Sequence, residues 1–411
     1  MKVAYHSPLP PSRSGIADYS ALLLPALGRR VEIAIARPGR FRRTPRADVA
    51  LYHVGNDPEA HGWIVEALER RPGVVVLHEL VLHHLVSGLT LARGDAAGYL
   101  DALERGHGLV GRLLGYAVLD NRIPPLWETR PEDFPLAGRI LERATGLIVH
   151  SRYVERGART AGFEGRIWRI AHPAWPAPAV APADVTGAPL FGCFGHLNAS
   201  KRIPQLLRAF AALRRRRPEA RLLLVGQTAP RFDLGRRLAQ LELGDAVVRE
   251  PYVDESRLWS LMAACDVCVS LRAPTMGETS GTAIRALSLG KPLVVSDVGW
   301  FSELPDAAAL KVPVDEREPE ALEGALELLA GSAETRAAMA AAARAAAVRE
   351  HDLERVAEAY VAALEEAAGG AAVAADVVRD VATAAAEVGI AADDPEASEL
   401  GRRLSEAGLG R

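Results

Sequence analysis

Short apolar runs alternate with longer amphipathic segments along most of this chain, and the alternation is interrupted once. VAY (Val3–Tyr5), VEIAIA (Val31–Ala36), VALYHVG (Val49–Gly55), VVVLHE (Val74–Glu79) and LIVHS (Leu147–Ser151) read as strands, and ADYSALLLPALGR and the segment from Glu59 to Arg70 carry helical periodicity. Strands that are apolar along their whole length belong to parallel sheets with helices on both faces. From Ala171 to Pro189 the pattern stops. AHPAWPAPAVAPADVTGAP holds too many fixed φ angles and missing N–H donors for a packed element, so it reads as a domain linker.

The alternation then restarts. LFGCFG (Leu190–Gly195), ARLLLVG (Ala220–Gly226), AVVREPY, DVCVSL and PLVVSDVG read as strands, with helices between them at Ile203–Arg217, Phe232–Leu243, Glu255–Ala264 and Gly281–Leu289. The expected fold class is α/β, with two doubly wound Rossmann-like domains facing across a cleft and extra carboxyl-terminal helices. The expected boundaries are 1–180, 190–350, a helix over 351–368 returning to the first domain, and a helical tail over 371–411. Gly369-Gly370 is expected to end the alanine-rich helical stretch before it. The tail reads either as docked helices or as a mobile extension, with docked helices favoured. At 411 residues the chain is long enough for two domains.

Composition excludes several classes. A formal charge of −3 gives no support to a nucleic-acid binder or a polybasic membrane anchor. Three cysteines exclude a disulfide scaffold, and Cys265-x-x-Cys268 has no second pair to complete a zinc site. No run approaches the length of a membrane span, so the cytoplasm is the default expectation, with the inner face of the membrane as a second location. LVLHHLVSGLTL (Leu80–Leu91) reads as a buried helix, or else as a patch making peripheral membrane contact. Oligomeric state is not readable.

Gly106–Gly111, GHGLVG, has a dinucleotide fingerprint spacing but follows a helical segment rather than a strand, so it is set aside. The turn SLRAPTMGETSG (Ser270–Gly281) lies between a strand and a helix start, where free N–H groups beside Thr279, Ser280, Gly281 and Thr282 suit a diphosphate oxygen. Glu278, just before that start, suits sugar hydroxyls, or else caps the helix. In FGHLNASKR (Phe194–Arg202), Gly195 permits a tight turn, and Lys201 is placed to neutralise phosphate. HSPLPPSRSGIADYS bends at Gly15, and two further strand ends carry His78-Glu79 and His150-Ser151-Arg152.

PLPPSRSGIADYS, VVLHE, LIVHSRYV, GCFGHLNASKRIPQLLRAF, ARLLLVG and PTMGETSGTAIRALSLGKPLVVSDVGWFSELPD occur in an order and spacing that resemble the retaining glycosyltransferases of GT-B fold, family 4, over residues 1–368. The resemblance implies that Gly15 approaches donor phosphate and acceptor, that His78 or its carbonyl lies near the transferred sugar, and that Lys201 bonds the diphosphate. It implies that Glu278 is the first glutamate of the E-x7-E motif and holds sugar hydroxyls, with Thr279, Ser280 and Gly281 donating to sugar and phosphate. Two positions depart from the family pattern. His196 stands where an arginine usually follows the turn glycine, leaving Lys201 as the one fixed cation. Counted back from Gly290-Lys291-Pro292, Arg285 stands where the second glutamate would grip the nucleoside ribose, and the first glutamate is then displaced by one, with Gly277 in its register and Glu278 beside it.

The implied reaction moves a hexosyl group from a UDP- or GDP-sugar to a saccharide or lipid-linked hydroxyl, by front-face attack with retention. It needs neither a resident cofactor nor an obligatory metal. A binding or scaffold protein, and a phosphorylase or epimerase on the same scaffold, are the rival readings.

Overall fold

The apolar runs form two six-stranded sheets in which every pairing is parallel. The computed structural model describes residues 1–12, 14–39, 45–230, 232–391, 393–407 and 409, so Arg13 of the first loop lies outside the described residues. In the first sheet β1 (Lys2–His6), β2 (Glu32–Ile35), β3 (Val49–Val54), β4 (Gly73–Leu77), β5 (Ala144–Val149) and β6 (Arg166–Arg169) lie in the order β2-β1-β3-β4-β5-β6. In the second, β7 (Leu190–Phe194), β8 (Arg221–Val225), β9 (Val247–Glu250), β10 (Val267–Ser270), β11 (Leu293–Ser296) and β12 (Ala309–Val312) lie in the order β12-β11-β10-β7-β8-β9. β3, β4 and β7 are buried at every residue, which is why their sequences show no alternation.

The strand orders fix where a ligand fits. From β7 the chain builds outward through β8 and β9, then returns to place β10 on the other side of β7. The loops after β7 and β10 therefore lead to helices that pack in different cores, and a crevice lies at the carboxyl ends of these two adjacent strands. The first sheet has the same reversal between β1 and β3.

No strand or helix forms between β6 and β7, where prolines are dense. After helices Glu318–Gly331 and Ala333–Glu350, the helix Leu353–Glu387 crosses back to the first sheet. Val356, Ala357, Tyr360, Ala363 and Leu364 join one core with Val3, Tyr5, Tyr19 and Leu23. The Tyr19 and Tyr360 hydroxyls share a hydrogen bond of 2.6 Å. This helix passes through Gly369-Gly370, where the sequence predicts a stop. Each glycine costs roughly 1 kcal/mol relative to alanine, and the alanine-rich flanks together with the anchored amino-terminal half sustain the helix. The last helix, Pro395–Glu406, buries no side chain.

Other runs are resolved by packing. Leu80, Val81, Leu82 and Leu85 are buried whereas Val86, Leu89 and Leu91 are half-buried, so the first part of the apolar segment at Leu80–Leu91 is core. GHGLVG lies inside the helix Ala96–Leu119, which Gly108 interrupts, and follows no strand. Cys193, Cys265 and Cys268 are free and buried, and burial pushes their thiols up. Among the described residues no helix is long and apolar enough to cross a membrane.

The docking of the long helix is testable by denaturant unfolding. Leu364→Ala removes a fully buried side chain and is expected to cost about 2–5 kcal/mol. Val377→Ala, farther along the same helix and exposed, is expected to cost less than about 0.5 kcal/mol.

Candidate active site

The loop after β7 turns at Gly195, whose φ of +98° is open to glycine and strained for other residues. A Cβ there would also strike the Lys201 ammonium. Asn198 Oδ1 accepts the Lys201 N–H at 3.0 Å and the Ser200 hydroxyl at 2.9 Å, which holds the turn that carries the lysine. Lys201 Nζ folds back over the strand end and donates to the Phe194 carbonyl at 2.7 Å. Burial, with Arg272 adding repulsion, brings its pKa down to about 8. His196, beside Gly195, is exposed.

The loop after β10 faces this one, and Ala273 N–H donates to Ser200 O at 2.8 Å between them. Arg272 leaves the end of β10 with its Nε 2.6 Å from Glu278 Oε1, both side chains being less than one-fifth exposed. Glu278 Oε2 accepts from the Thr275 hydroxyl at 3.1 Å and from Met276 N–H at 2.8 Å. Ser280 caps the helix Gly281–Ser288: its hydroxyl accepts from Ala283 N–H at 3.2 Å and lies 3.0 Å from Thr282 Oγ1. Thr279, Gly281 and Thr282 are half-buried at this helix start.

The first domain closes over the same loop. Leu80 and Val81 N–H both donate to Met276 O, at 2.8 and 3.0 Å, and Glu132 Oε1 accepts from Thr275 N–H at 3.0 Å. Gly277, at φ +82°, makes this approach possible, since a Cβ there would lie 3.0 Å from Leu80 Cβ. At a second contact Glu303 accepts from the Arg152 and Tyr153 N–H groups, at 2.9 and 2.8 Å, capping a helix of the first domain with a carboxylate of the second.

Behind Leu80, His78 lies in a buried group of rings rather than in open cleft. Its Nε2 shares a 3.0 Å hydrogen bond with His53 Nδ1, and Tyr19 and His150 pack at centroid distances of 4.8 and 5.1 Å. Burial, reinforced by neighbouring histidines, holds His53, His78 and His172 well below the usual histidine range, so they are neutral at pH 7. Among the described residues no three His, Cys, Asp or Glu side chains are grouped to hold a metal. Glu79 is pushed up to about 8 by burial and by the charge of Glu278. Gly15 opens the helix Gly15–Gly28, and a Cβ there would meet nothing within 4 Å.

Arg285 is 6% exposed, with its guanidinium 3.5 Å above the Trp175 ring of the linker and Nη2 3.2 Å from Glu255. The structure thus brings Lys201, Gly195, Glu278 and the Thr279–Thr282 turn to one crevice. His196 stays at its exposed rim, and Arg285 packs one helical turn inward. Glu79 is marked in the sequence only as a polar group at a strand end, and Arg272, Glu132 and Trp175 were not singled out by sequence reasoning. Arg272 lies within SLRAPTMGETSG, and only its position directly after a strand marks it.

Residues 181–346 match the family described as Glycosyl transferases group 1. The uncharacterized glycosyltransferase YqgM of Bacillus subtilis (strain 168) is 28% identical over 167 residues, which are 40% of this chain and 45% of that protein. The match therefore spans less than half of that relative's length. Among solved structures, Anabaena HepE in complex with UDP and glucose has a TM-score of 0.60 at 16% identity, over 89% of this chain and 100% of that one. Sucrose-phosphate synthase from Thermosynechococcus elongatus has a TM-score of 0.63 at 18% identity, over 89% and 98%. At such identities the likeness is one of fold, the two-domain α/β arrangement called GT-B. With the family match over the second domain, it supports a GT-B glycosyltransferase.

The raised Glu79 gives a prediction with a definite sign. The folded protein keeps this proton up to about pH 8, whereas an unfolded glutamate releases it near 4.5, so its contribution is present below 4.5 and lost as pH rises through 8. Denaturation midpoints of Glu79→Gln and wild type are expected to be nearest at pH 5, with the variant pulling ahead by pH 8.5.

Proposed function

We propose that this chain transfers a hexosyl group from a nucleoside-diphosphate sugar, UDP- or GDP-linked, to a saccharide or lipid-linked hydroxyl with retention of anomeric configuration. The observation that carries this reading is the crevice between β7 and β10, where the Lys201 and Arg272 cations and the Glu278 carboxylate meet in the domain matched by the group 1 family. HepE, of like fold, has been solved with UDP and with UDP-glucose, which favours a uridine donor here.

In the proposed reaction the bond from the anomeric carbon to the β-phosphate oxygen breaks as the acceptor oxygen bonds to the same face of that carbon. The acceptor's proton passes to the departing phosphate oxygen, giving nucleoside diphosphate and glycoside. Negative charge grows on the diphosphate, where Lys201 and the free N–H groups at Gly281 and Thr282 stabilise it. Glu278 accepts from sugar hydroxyls, with Thr279 and Ser280 donating nearby, and the backbone beyond His78 shapes the sugar's other side. Gly15 leaves room for the acceptor. Neither a metal nor a resident cofactor has a step in this scheme, and a cytoplasmic location suits such a donor.

Calorimetry with UDP, GDP, ADP and dTDP, without acceptor, tests the donor site. One nucleotide is expected to bind selectively, and Lys201→Ala to weaken it by about tenfold or more. Affinity is expected to fall as pH rises from 7 to 9, because Lys201 loses its charge near 8, with a slope of at most about tenfold per pH unit from that one group. Glu79 gains charge over the same range and steepens the fall, so Glu79→Gln isolates the lysine limb. Nucleotide binding with neither donor hydrolysis nor transfer to any acceptor would identify a binding protein instead. The anomeric coupling of a product decides between retention and inversion.

A further inference from the structure

The crevice holds two cations and one carboxylate. Lys201 Nζ donates to a neutral carbonyl, Phe194 O, and has no carboxylate within ion-pair distance among the described residues. Arg272 takes Glu278. β7 and β10 are hydrogen-bonded neighbours in register, with Phe191 beside Val267 and Gly192 beside Cys268, so the two cations leave adjacent strand ends. Each side chain is largely removed from water, and Arg272 is among the charges that depress Lys201. Like charges gathered in a low-dielectric crevice repel, and an anion with more than one negative oxygen relieves both at once. His196, which follows the turn glycine, is exposed.

We propose that Arg272 is the second cation of the diphosphate site and that Glu278 holds it in reserve. An incoming diphosphate displaces the carboxylate from the guanidinium, and the released Glu278 turns to the transferred sugar. This inference rests on the nucleotide-sugar reading above. The exchange conserves charge pairing, since Arg272 trades one anionic oxygen for another while Lys201 gains a partner it lacked. It also reaches the domain contact: the carboxylate that moves accepts the Met276 N–H, and the carbonyl of the same residue accepts from Leu80 and Val81. The turn joining the two domains thus senses whether donor is bound.

Competition for one guanidinium has a signature that a merely structural ion pair lacks. In calorimetry with UDP, GDP, ADP and dTDP at fixed ionic strength, Glu278→Gln keeps the side-chain shape but removes the competing charge. It is expected to bind the preferred nucleotide about three- to tenfold tighter while its transfer kcat falls. Arg272→Ala is expected to bind about ten- to a hundredfold weaker, with Arg272→Lys in between because it keeps the charge and loses the fork. In the double variant Arg272→Ala/Glu278→Gln the gain from glutamine is expected to vanish. Unchanged or weaker binding by Glu278→Gln, or unchanged binding by Arg272→Ala, overturns the proposal. Should Arg272→Ala fail to fold, judged by its thermal melt, Arg272→Lys and Glu278→Gln carry the test. If wild type binds no nucleotide, or Lys201→Ala changes nothing, it is the nucleotide-sugar reading that has failed.

Discussion

The peptide at Met276 is the point on which the site's geometry depends. Its carbonyl accepts from Leu80 and Val81 of the first domain, and its N–H donates to the Glu278 carboxylate of the second. One residue thereby fixes both the distance across the cleft and the orientation of the acid within it. Gly277 suits this arrangement, since a side chain there would be strained at φ +82° and would crowd Leu80, with a Cβ 3.0 Å from Leu80 Cβ. Glu132, bonded to Thr275 N–H, closes the same turn from another segment of the first domain.

Electrostatics complements this geometry. The wall behind the cleft is built of histidines that burial keeps neutral, ordered by one His53–His78 hydrogen bond and by the edge of Tyr19. A neutral, water-poor wall leaves the charges at the strand ends poorly screened and strengthens their action on an incoming anion. Glu79 adds no negative charge at pH 7, so the crevice stays positive where phosphate is expected. The burial that depresses the histidines thus also sets the sign of the pocket.

The two-domain α/β architecture was legible because buried parallel strands leave continuous apolar runs, and a run such as GVVVL has no amphipathic alternative. Strand order was not legible. Nothing local says that β10 returns beside β7, and that adjacency is what brings Arg272 next to Lys201. One arginine among 49 lysines and arginines carries no mark until its neighbours in space are known. The helix through Gly369-Gly370 was misread for a related reason: local propensity argues for a stop, whereas packing of Tyr360 and Leu364 on the first sheet anchors the helix upstream. The Leu80–Leu91 run reads from sequence as a buried helix or as an exposed patch, and only the packing of Leu80, Leu82 and Leu85 on β3 and β4 decides for burial of its first part.

The linker is less free than its prolines suggest. Trp175 packs in the core of the second domain with Leu190, Phe194 and Trp259, and Ala174, Val180, Ala183 and Val185 lie against the same core. Arg285, stacked on Trp175 and paired with Glu255, fastens that segment to the helix that begins at the crevice between β7 and β10. What remains to bend is the narrow place where the chain crosses between domains twice. There Ala174 N–H donates to His351 O at 2.6 Å, and His351 Nδ1 donates to His172 O at 2.7 Å. Two crossings bonded to each other cannot bend independently, so a change in domain angle turns them together. Any such change would also have to break the Leu80 and Val81 hydrogen bonds to Met276 O, so the crossing and the Met276 turn restrain the domain angle from two sides.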